Sequence, residues 1–237
     1  MNFKKWLELL LEKTLPEWRD HYISYSLLKK RIKLIEAIKS DIITGDSNQV
    51  FLNGYEVGFI NLLNLELDKL NRFMEEKSRD CHIRLQKLKD RIEKIKNGYT
   101  QAAVMSSHER DEVILAGKDL VNLHGELILL ENYSVWNFTG LRKILKKYHR
   151  RVHAVMGDNY IHWAKCQPFF ANEFLLEIIS ECHEILQCFL CMVLPLYVNA
   201  MGEMFQKEVE QSVYKSSMAA LEILNEMTKI NSAYNDV

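Results

Sequence analysis

The sequence contains very little proline and glycine. Its 237 residues include 3 Pro and 9 Gly, whereas hydrophobic residues make up 48% of the chain. Proteins built from many short strands need frequent turn residues, so this composition favours long helices over a turn-rich sheet protein. The hydrophobic content is sufficient to fill a core. We therefore expect a globular, all-α protein.

An excess of charge of one sign is also missing. The formal net charge is −1 at pH 7. A nearly neutral molecule exerts no general attraction on nucleic acids or on acidic membranes. We expect no direct nucleic acid binding, and any basic site must be local.

The sequence shows neither a cleavable signal peptide nor a disulfide framework. The apolar positions near the N-terminus are interrupted by Glu8, Glu12 and Lys13, which is not typical of a signal peptide. An odd number of cysteines in a chain of this length does not suggest secreted disulfide pairs. These cysteines are Cys81, Cys166, Cys182, Cys188 and Cys191. We expect reduced thiols and a location in the nucleus, the cytoplasm or both.

Hydrophobic periodicity predicts a helical hairpin at the N-terminus. Residues 3–13 carry an apolar stripe at helical spacing, and Pro16 stops this run. Ser24 is a suitable N-cap for a second helix that starts at Tyr25. A loop is predicted at 45–48, where Gly, Asp, Ser and Asn follow one another.

Longer helices are predicted further along the chain. The periodic segment 59–98 predicts the longest helix, and a second long helix is expected over about 109–132. We expect a break at 133–137 and a short basic helix from 138 onward. Residues 157–159 are predicted to end that section.

The chain from Pro168 onward is helical in pattern and contains the apolar run 185–198. This run is shorter than the roughly 20 apolar residues of a membrane span, and Pro195 interrupts it. We expect a buried or partner-binding helix and no transmembrane segment. Cys188 and Cys191 form a C-x-x-C pair without the loop typical of zinc sites, and we predict that they are buried thiols.

Residues 141–151 concentrate positive charge, with six cations in eleven positions. At about 100° per residue, four of these cations share an arc of about 100° on a helix, opposite an apolar arc. The cations of the arc are Lys143, Lys146, Lys147 and Arg150. The apolar arc consists of Leu141, Ile144, Leu145 and Tyr148. No acidic residue lies within the stretch to neutralise the charge, so a ligand with several phosphates is predicted to bind there.

A second basic strip lies on the predicted hairpin. Tyr25, Lys29 and Lys33 recur at i, i+4 and i+8, which places them on one face of a helix. Lys4 and Lys5 can add charge from the first helix. If the hairpin packs against the basic helix, the two strips merge into one surface.

The basic surface lacks the groups that catalysis would need. His149 and His153 are four residues apart, but no Glu lies between them as it does in the metalloprotease motif. No Gly-rich phosphate loop and no nucleophile elbow occur. We therefore expect a binding protein without enzymatic activity, without a cofactor and without a metal site.

A series of short motifs occurs in order along most of the chain. They are Met1-Asn2-Phe3, Leu15-Pro16-Glu17-Trp18-Arg19, Tyr25 through Lys29-Lys30, Leu123-His124-Gly125-Glu126, Asn132-Tyr133-Ser134, Asn137-Phe138-Thr139-Gly140-Leu141, Lys143-Ile144-Leu145-Lys146-Lys147-Tyr148 and Gln167-Pro168-Phe169-Phe170. In this combination the chain resembles the SPX domain family, and in particular the plant proteins that contain little more than that domain.

The resemblance implies an N-terminal helical hairpin packed on a bundle with two long central helices. It implies an SPX domain over 1–165 and a C-terminal helical extension over 166–237. It also implies a surface that binds inositol polyphosphates and pyrophosphates. The family's phosphate-binding cluster corresponds here to Tyr25, Lys29 and Lys146, and its neighbouring lysine cluster corresponds to Lys143, Lys147 and Arg150.

The resemblance further implies that, in plant relatives, the ligand-loaded domain binds MYB-type phosphate-starvation transcription factors and keeps them from DNA. The segment 214–221 is expected to contribute to that partner surface. Asn2 and Ser26 stand where the family usually has lysine, and His149-Arg150 replaces a typical Asp-Lys pair, so weaker ligand binding is expected. The alternative function is a scaffold or membrane-peripheral adaptor whose lysines bind phosphoinositide headgroups, with 185–198 as its hydrophobic face.

Overall fold

The protein is almost entirely helical in the part that the computed structural model describes, which is residues 3–42, 49–99, 106–152 and 157–201. These ranges contain no strand. Their elements are α1 (Phe3–Lys13), a 3-10 helix (Pro16–His21), α2 (Tyr25–Ile42), α3 (Gln49–Tyr99), α4 (Ser107–Val152), α5 (Gly157–Lys165) and α6 (Glu173–Met201). The predicted all-α class is confirmed, with an N-terminal pair of helices and two long helices after it.

The start of α2 is fixed by a polar network around Ser24. The Ser24 carbonyl accepts the first helical bond from the Leu28 N–H at 3.1 Å. Its own N–H donates to the Glu66 carboxylate at 2.8 Å, and its hydroxyl lies 3.2 Å from Lys69 Nζ. The predicted start at Ser24 is therefore confirmed, and residues of α3 anchor it.

The predicted break at 133–137 is wrong, because α4 runs without interruption from Ser107 to Val152. Two polar residues of this stretch form hydrogen bonds inside the fold. Asn137 donates from Nδ2 to the Tyr133 carbonyl at 2.8 Å, and the Tyr133 hydroxyl donates to the His21 carbonyl at 2.9 Å. Residues with weak helix propensity are thus held in the helix by buried contacts with neighbouring elements.

Other predicted boundaries also shift. Helix α3 begins ten residues earlier than the predicted 59, and it ends at Tyr99, close to the predicted end. Gly157 begins α5 and does not end a helix, which corrects the prediction for 157–159. The predicted loop at 45–48, Asn2, His153 and the segment 214–221 lie outside the described residues.

The described residues cluster in two compact units. Unit 1 contains the chain up to Lys77 together with Glu131–Asn172. Its core is rich in aromatic rings: Trp18 packs edge-on against Phe73 with centroids 5.2 Å apart, and Trp6 lies 3.9 Å from Trp136. This unit holds the whole basic surface predicted from the sequence.

Unit 2 contains Ser78–Leu130 together with the helix that begins at Glu173. Ion pairs join its helices around an apolar core. Arg84 of α3 pairs with Glu126 of α4 at 2.6 Å, and Lys89 of α3 pairs with Glu181 of α6. The predicted domain boundary between 165 and 166 stays a prediction.

Helix α6 contains the whole of the apolar run 185–198. Of the helices in the described ranges, none combines the length and the apolar character needed to span a membrane. Along α6, Leu186 and Phe189 are buried, whereas Cys188 and Cys191 are exposed. The prediction that these two thiols are buried is therefore wrong: they occupy the outer face of an amphipathic helix.

Candidate functional site

Helix α2 and the C-terminal half of α4 run side by side in the same direction. The Ile23 N–H, just before α2, donates to Asn137 Oδ1 at 2.8 Å, and these residues are 114 apart in the sequence. Near the other end, Lys39 Nζ donates to the Val152 carbonyl at 2.6 Å, and these residues are 113 apart. The nearly constant separation means that the helices are parallel and in fixed register.

This register brings the basic strips of the two helices together. Lys29 lies at about the level of Lys143, and Lys33 at about the level of Lys147. The pKa of Lys147 is lowered from its ordinary value, first because the amine is partly desolvated and then because four positive charges surround it. Those charges belong to Lys29, Arg151, Arg150 and Lys33. The side chains of α2 and α4 thus form one continuous basic surface, which we call the cationic face.

The helix geometry expected for 141–151 is confirmed. The four residues of the apolar arc, Leu141, Ile144, Leu145 and Tyr148, are all buried. The Tyr148 ring stacks on Phe59 of α3 with centroids 4.5 Å apart. On the other side, Lys146 and Arg150 are exposed, while Lys143 and Lys147 are half-buried. Packing of the apolar arc therefore directs the cations outward.

The N-terminus of α1 borders the cationic face. Lys143 Nζ lies 5.5 Å above the centroid of the Phe3 ring, and Phe3 meets Tyr25 edge-on with centroids 4.8 Å apart. The Tyr25 side chain is packed in this cluster, and the residue is only 7% exposed. A cation over an aromatic ring is held in position by the ring electrons, so Phe3 orients Lys143.

Two further candidates follow Phe3 directly. Lys5 is exposed, and Lys4 forms an ion pair with Glu8 at 3.5 Å. Both lysines lie in the first turn of α1, directly after Phe3. Of the two departures from the family pattern that the structure describes, Ser26 is half-buried and His149 is exposed. The ligand contacts of all these residues stay predictions.

Sequence reasoning missed Arg151 and Glu36. Arg151 adds positive charge at Lys147, and its guanidinium pairs with the Glu36 carboxylate of α2. On a helix, Arg151 lies about 40° beyond Lys147, just outside the arc used to select the other cations. Its position four residues after Lys147 was a usable signal, but the pairing with Glu36 depends on tertiary structure. The Glu36 carboxylate thus lies beside the cations at this end of the face.

The cationic face differs from a metal site in its chemistry. Hard metal ions bind carboxylate and carbonyl oxygens, whereas lysine and arginine bind phosphate oxygens. Within the described ranges, no group of three or more His, Cys, Asp or Glu residues could hold a metal ion. The arrangement suits a ligand with several negative charges spread over the distance between two helices.

Similar proteins identify the family. No family model matches the chain. SPX domain-containing protein 1 of Arabidopsis thaliana is 36% identical over 237 residues, in an alignment that covers 96% of this chain and 86% of that protein. The chain belongs to the SPX domain family. SPX domain-containing protein 4 of Oryza sativa subsp. japonica is 34% identical over 261 residues, in an alignment that covers 99% of this chain and 81% of the rice protein.

A solved structure agrees with this assignment at the level of the fold. It is the SPX domain of Chaetomium thermophilum glycerophosphodiester phosphodiesterase 1 in complex with inositol hexakisphosphate. The TM-score is 0.62 at 24% identity, and the match covers 80% of this chain and 99% of the fungal domain. The SPX fold inferred from the sequence motifs is therefore confirmed.

Proposed function

We propose that this SPX protein senses phosphate status by binding inositol polyphosphates or pyrophosphates on the cationic face. The observation that carries the proposal is the crowding of positive charge around Lys147. Desolvation is the largest cause of the lowered pKa of this amine, and four cations from two helices lower it further. Such repulsion is relieved when a polyanion binds, so the face is preorganised for a ligand with several phosphates.

The family supports the choice of ligand. The fungal SPX domain with a similar fold was solved in complex with inositol hexakisphosphate. In our proposal Tyr25, Lys29 and Lys146 form the phosphate-binding cluster, and Lys143, Lys147 and Arg150 form the neighbouring cluster. Lys4, Lys5 and Lys33 extend the positive surface. The function requires binding alone, so no catalytic residue, cofactor or metal is assigned.

The loaded protein would act through a second protein. We propose that it then binds and inhibits a MYB-type phosphate-starvation transcription factor in the nucleus or the cytoplasm. A bound polyanion reverses the local potential of the cationic face, which allows a basic partner to dock. The ligand would contribute to the interface, and the partner's affinity would therefore depend on ligand concentration.

The first test is calorimetric titration with inositol hexakisphosphate and with a pyrophosphate analogue. Lys146→Ala and Lys147→Ala should each weaken binding by about tenfold, the typical effect of losing a charge-assisted hydrogen bond. Lys87→Ala is the matched control, because Lys87 is an exposed lysine on α3 in unit 2. Wild-type affinity should fall steeply with added salt.

The outcomes separate the two functions inferred from the sequence. Loss of affinity in both variants with an unchanged control would support the sensor. If wild-type protein ignores the soluble ligands but binds vesicles that contain phosphoinositides, the adaptor function is favoured. Failure to bind either probe rejects the cationic face as a phosphate site.

A separate experiment tests the partner. A MYB-type phosphate-starvation factor bound to fluorescent DNA should be displaced by this protein only when inositol polyphosphate is present. Lys147→Ala should raise the ligand concentration needed for displacement. Displacement that is independent of the ligand would contradict the charge-reversal mechanism and leave the ligand-binding result intact.

A further inference from the structure

A second surface of unit 1 forms an open groove between α2 and α3, with a volume of about 470 Å³. The lining residues are Leu27, Lys30, Arg31, Leu34, Gly58, Asn61, Leu62 and Leu65. Three of the four lining leucines are unusually exposed, with Leu27, Leu34 and Leu65 at 50%, 42% and 62%. Exposed leucines concentrated in one groove are typical of a binding surface, whereas isolated ones are common everywhere.

The groove is distinct from the cationic face. At about 100° per residue, the mean direction of Leu27 and Leu34 on α2 lies about 130° from that of Lys29 and Lys33. The buried residues of α2, such as Leu28 and Ile32, lie on a third side of the helix. Helix α2 therefore offers two separate exposed surfaces.

The spacing of the lining residues indicates the shape of the occupant. On α2 the groove is lined by positions 27, 30, 31 and 34, and on α3 by positions 58, 61, 62 and 65. Both sets follow the spacing i, i+3, i+4 and i+7, which is the stripe that a helix uses to pack against another helix. Two such stripes on adjacent helices match the apolar face of a third helix.

The charge of the groove indicates the composition of the occupant. Lys30 and Arg31 contribute two positive charges, and none of the lining residues is acidic. The Arg31 guanidinium lies 5.1 Å above the Tyr55 ring. A Cβ added at Gly58 would lie 2.5 Å from Arg31 Nη2, so the glycine makes room for the guanidinium beside α3. A second copy of the groove would bring like charges together, which disfavours self-association through this surface.

We propose that the α2–α3 groove binds an amphipathic helix of a partner protein, in which acidic residues flank an apolar stripe. Apolar side chains of this helix contact Leu27, Leu34 and Leu65, and its carboxylates pair with Lys30 and Arg31. The inference is independent of the proposed ligand, because none of the groove residues belongs to the cationic face.

The test uses a fluorescent model peptide of about 21 residues, with leucine at the apolar heptad positions and glutamate beside them. Anisotropy should show binding of this peptide to the full chain. A peptide with lysine in place of glutamate should bind at least about tenfold more weakly, because it repels Lys30 and Arg31. A peptide with the same composition and scrambled apolar positions should also bind at least about tenfold more weakly, because its leucines no longer form a stripe.

Variants locate the binding site. Leu65→Ser and Lys30→Glu should each weaken binding by about fivefold or more, as expected for central contacts. Leu115→Ser is the matched control, because Leu115 is 49% exposed on α4 and lies outside the groove. Circular dichroism verifies that each variant keeps its helix content.

Four outcomes would overturn the proposal. One is equal binding of the acidic and scrambled peptides, and another is wild-type affinity in both groove variants. The third is loss of binding in Lys147→Ala but not in Lys30→Glu, since the peptide would then occupy the cationic face. Sedimentation of the wild type and Leu65→Ser adds an independent comparison: self-association that the substitution removes would assign the groove to a second copy.

Discussion

At the scale of single residues, Lys147 gives the cationic face its pH dependence. Its pKa lies below the ordinary lysine value of 10.5, so as the pH rises this amine loses its proton before an ordinary lysine does. The affinity that the Lys147 charge contributes is fully present below that lowered pKa, and it is lost as the pH rises through the higher pKa that the amine has in the complex. Lys147→Arg should retain the charge and shift this loss to higher pH.

Titrations with inositol hexakisphosphate at increasing alkaline pH, up to the ordinary lysine pKa of 10.5, measure this effect. The wild type should lose affinity more steeply than Lys147→Arg over this interval. Ligand protonation affects both proteins equally and cancels in the comparison. If the affinities of the wild type and of Lys147→Arg depend on pH in the same way, the charge of Lys147 does not contribute to ligand binding.

Glu36 is the acidic residue that pairs with Arg151 beside the cations. Replacing it with glutamine removes one negative charge from the neighbourhood of the ligand. We expect Glu36→Gln to strengthen inositol hexakisphosphate binding by about two- to fivefold, the range expected for a partly exposed pair.

Asp90→Asn serves as the charge-matched control, because Asp90 is exposed on α3 in unit 2. Calorimetry at low salt should show no change for this variant. Weaker binding in Glu36→Gln would instead mean that the carboxylate positions Arg151 for the ligand.

At the scale of elements, the register of α2 against α4 depends on Asn137. Its fully buried side chain accepts the Ile23 N–H and donates to the Tyr133 carbonyl. Asn137→Ala leaves the buried Ile23 N–H without its partner and should lower the free energy of unfolding by about 2 kcal/mol. Urea denaturation measures the change. Asn122→Ala, at an exposed position of the same helix, should stay within about 0.5 kcal/mol of the wild type.

Two glycines of α4 give a matched pair of alanine substitutions that should change the free energy of unfolding in opposite directions. A Cβ at Gly125 would have no heavy atom within 4 Å, so Gly125→Ala should stabilise the helix by about 0.5–1 kcal/mol. A Cβ at Gly140 would lie 2.9 Å from Ile23 Cγ2 and 3.4 Å from Phe3 Cε1. Gly140→Ala should therefore cost about 1–3 kcal/mol.

Thermal or urea unfolding of both variants tests whether close packing at Gly140 holds α1 and α2 against α4. Stabilisation by both substitutions would show that the chain relaxes around the added methyl group at no cost. Gly140→Ala should also weaken inositol hexakisphosphate binding, because Phe3 supports Lys143.

At the scale of the whole molecule, burial divides the cysteines into reactive and protected groups. Cys166, Cys188 and Cys191 are exposed, whereas Cys81 and Cys182 are buried. Burial, aided by the negative charge of Glu181, raises the pKa of the Cys182 thiol to about 12. Since the thiolate is the reactive form, Cys182 should be inert in the folded protein.

Mass spectrometry after maleimide treatment tests this division. The native protein should carry three labels and the urea-unfolded protein five, as follows from the exposure of each thiol. A fourth label in the native protein would show that one of the units opens readily.

The sequence by itself determined the helical class, the start of α2 and the division of 141–151 into apolar and cationic sides. The periodicity that predicts the helices and the two sides of 141–151 acts within one or two helical turns, and Ser24 marks the start of α2 locally although residues of α3 also anchor it. The motifs were sufficient to identify the family. The prediction of a break at 133–137 was wrong, because local helix propensity carries no information about the buried hydrogen bonds of Tyr133 and Asn137.

Tertiary structure alone decided which cations meet. Lys29 and Lys147 are more than a hundred residues apart, and their proximity follows from the parallel register that Asn137 and Lys39 fix at the two ends of α2. The pairing of Arg151 with Glu36 also follows from this register. The groove between α2 and α3 likewise depends on how two helices pack together, which the pattern of either helix alone does not give. A helical pattern specifies which side of a helix is buried, but the partner on that side is selected by packing over the whole chain.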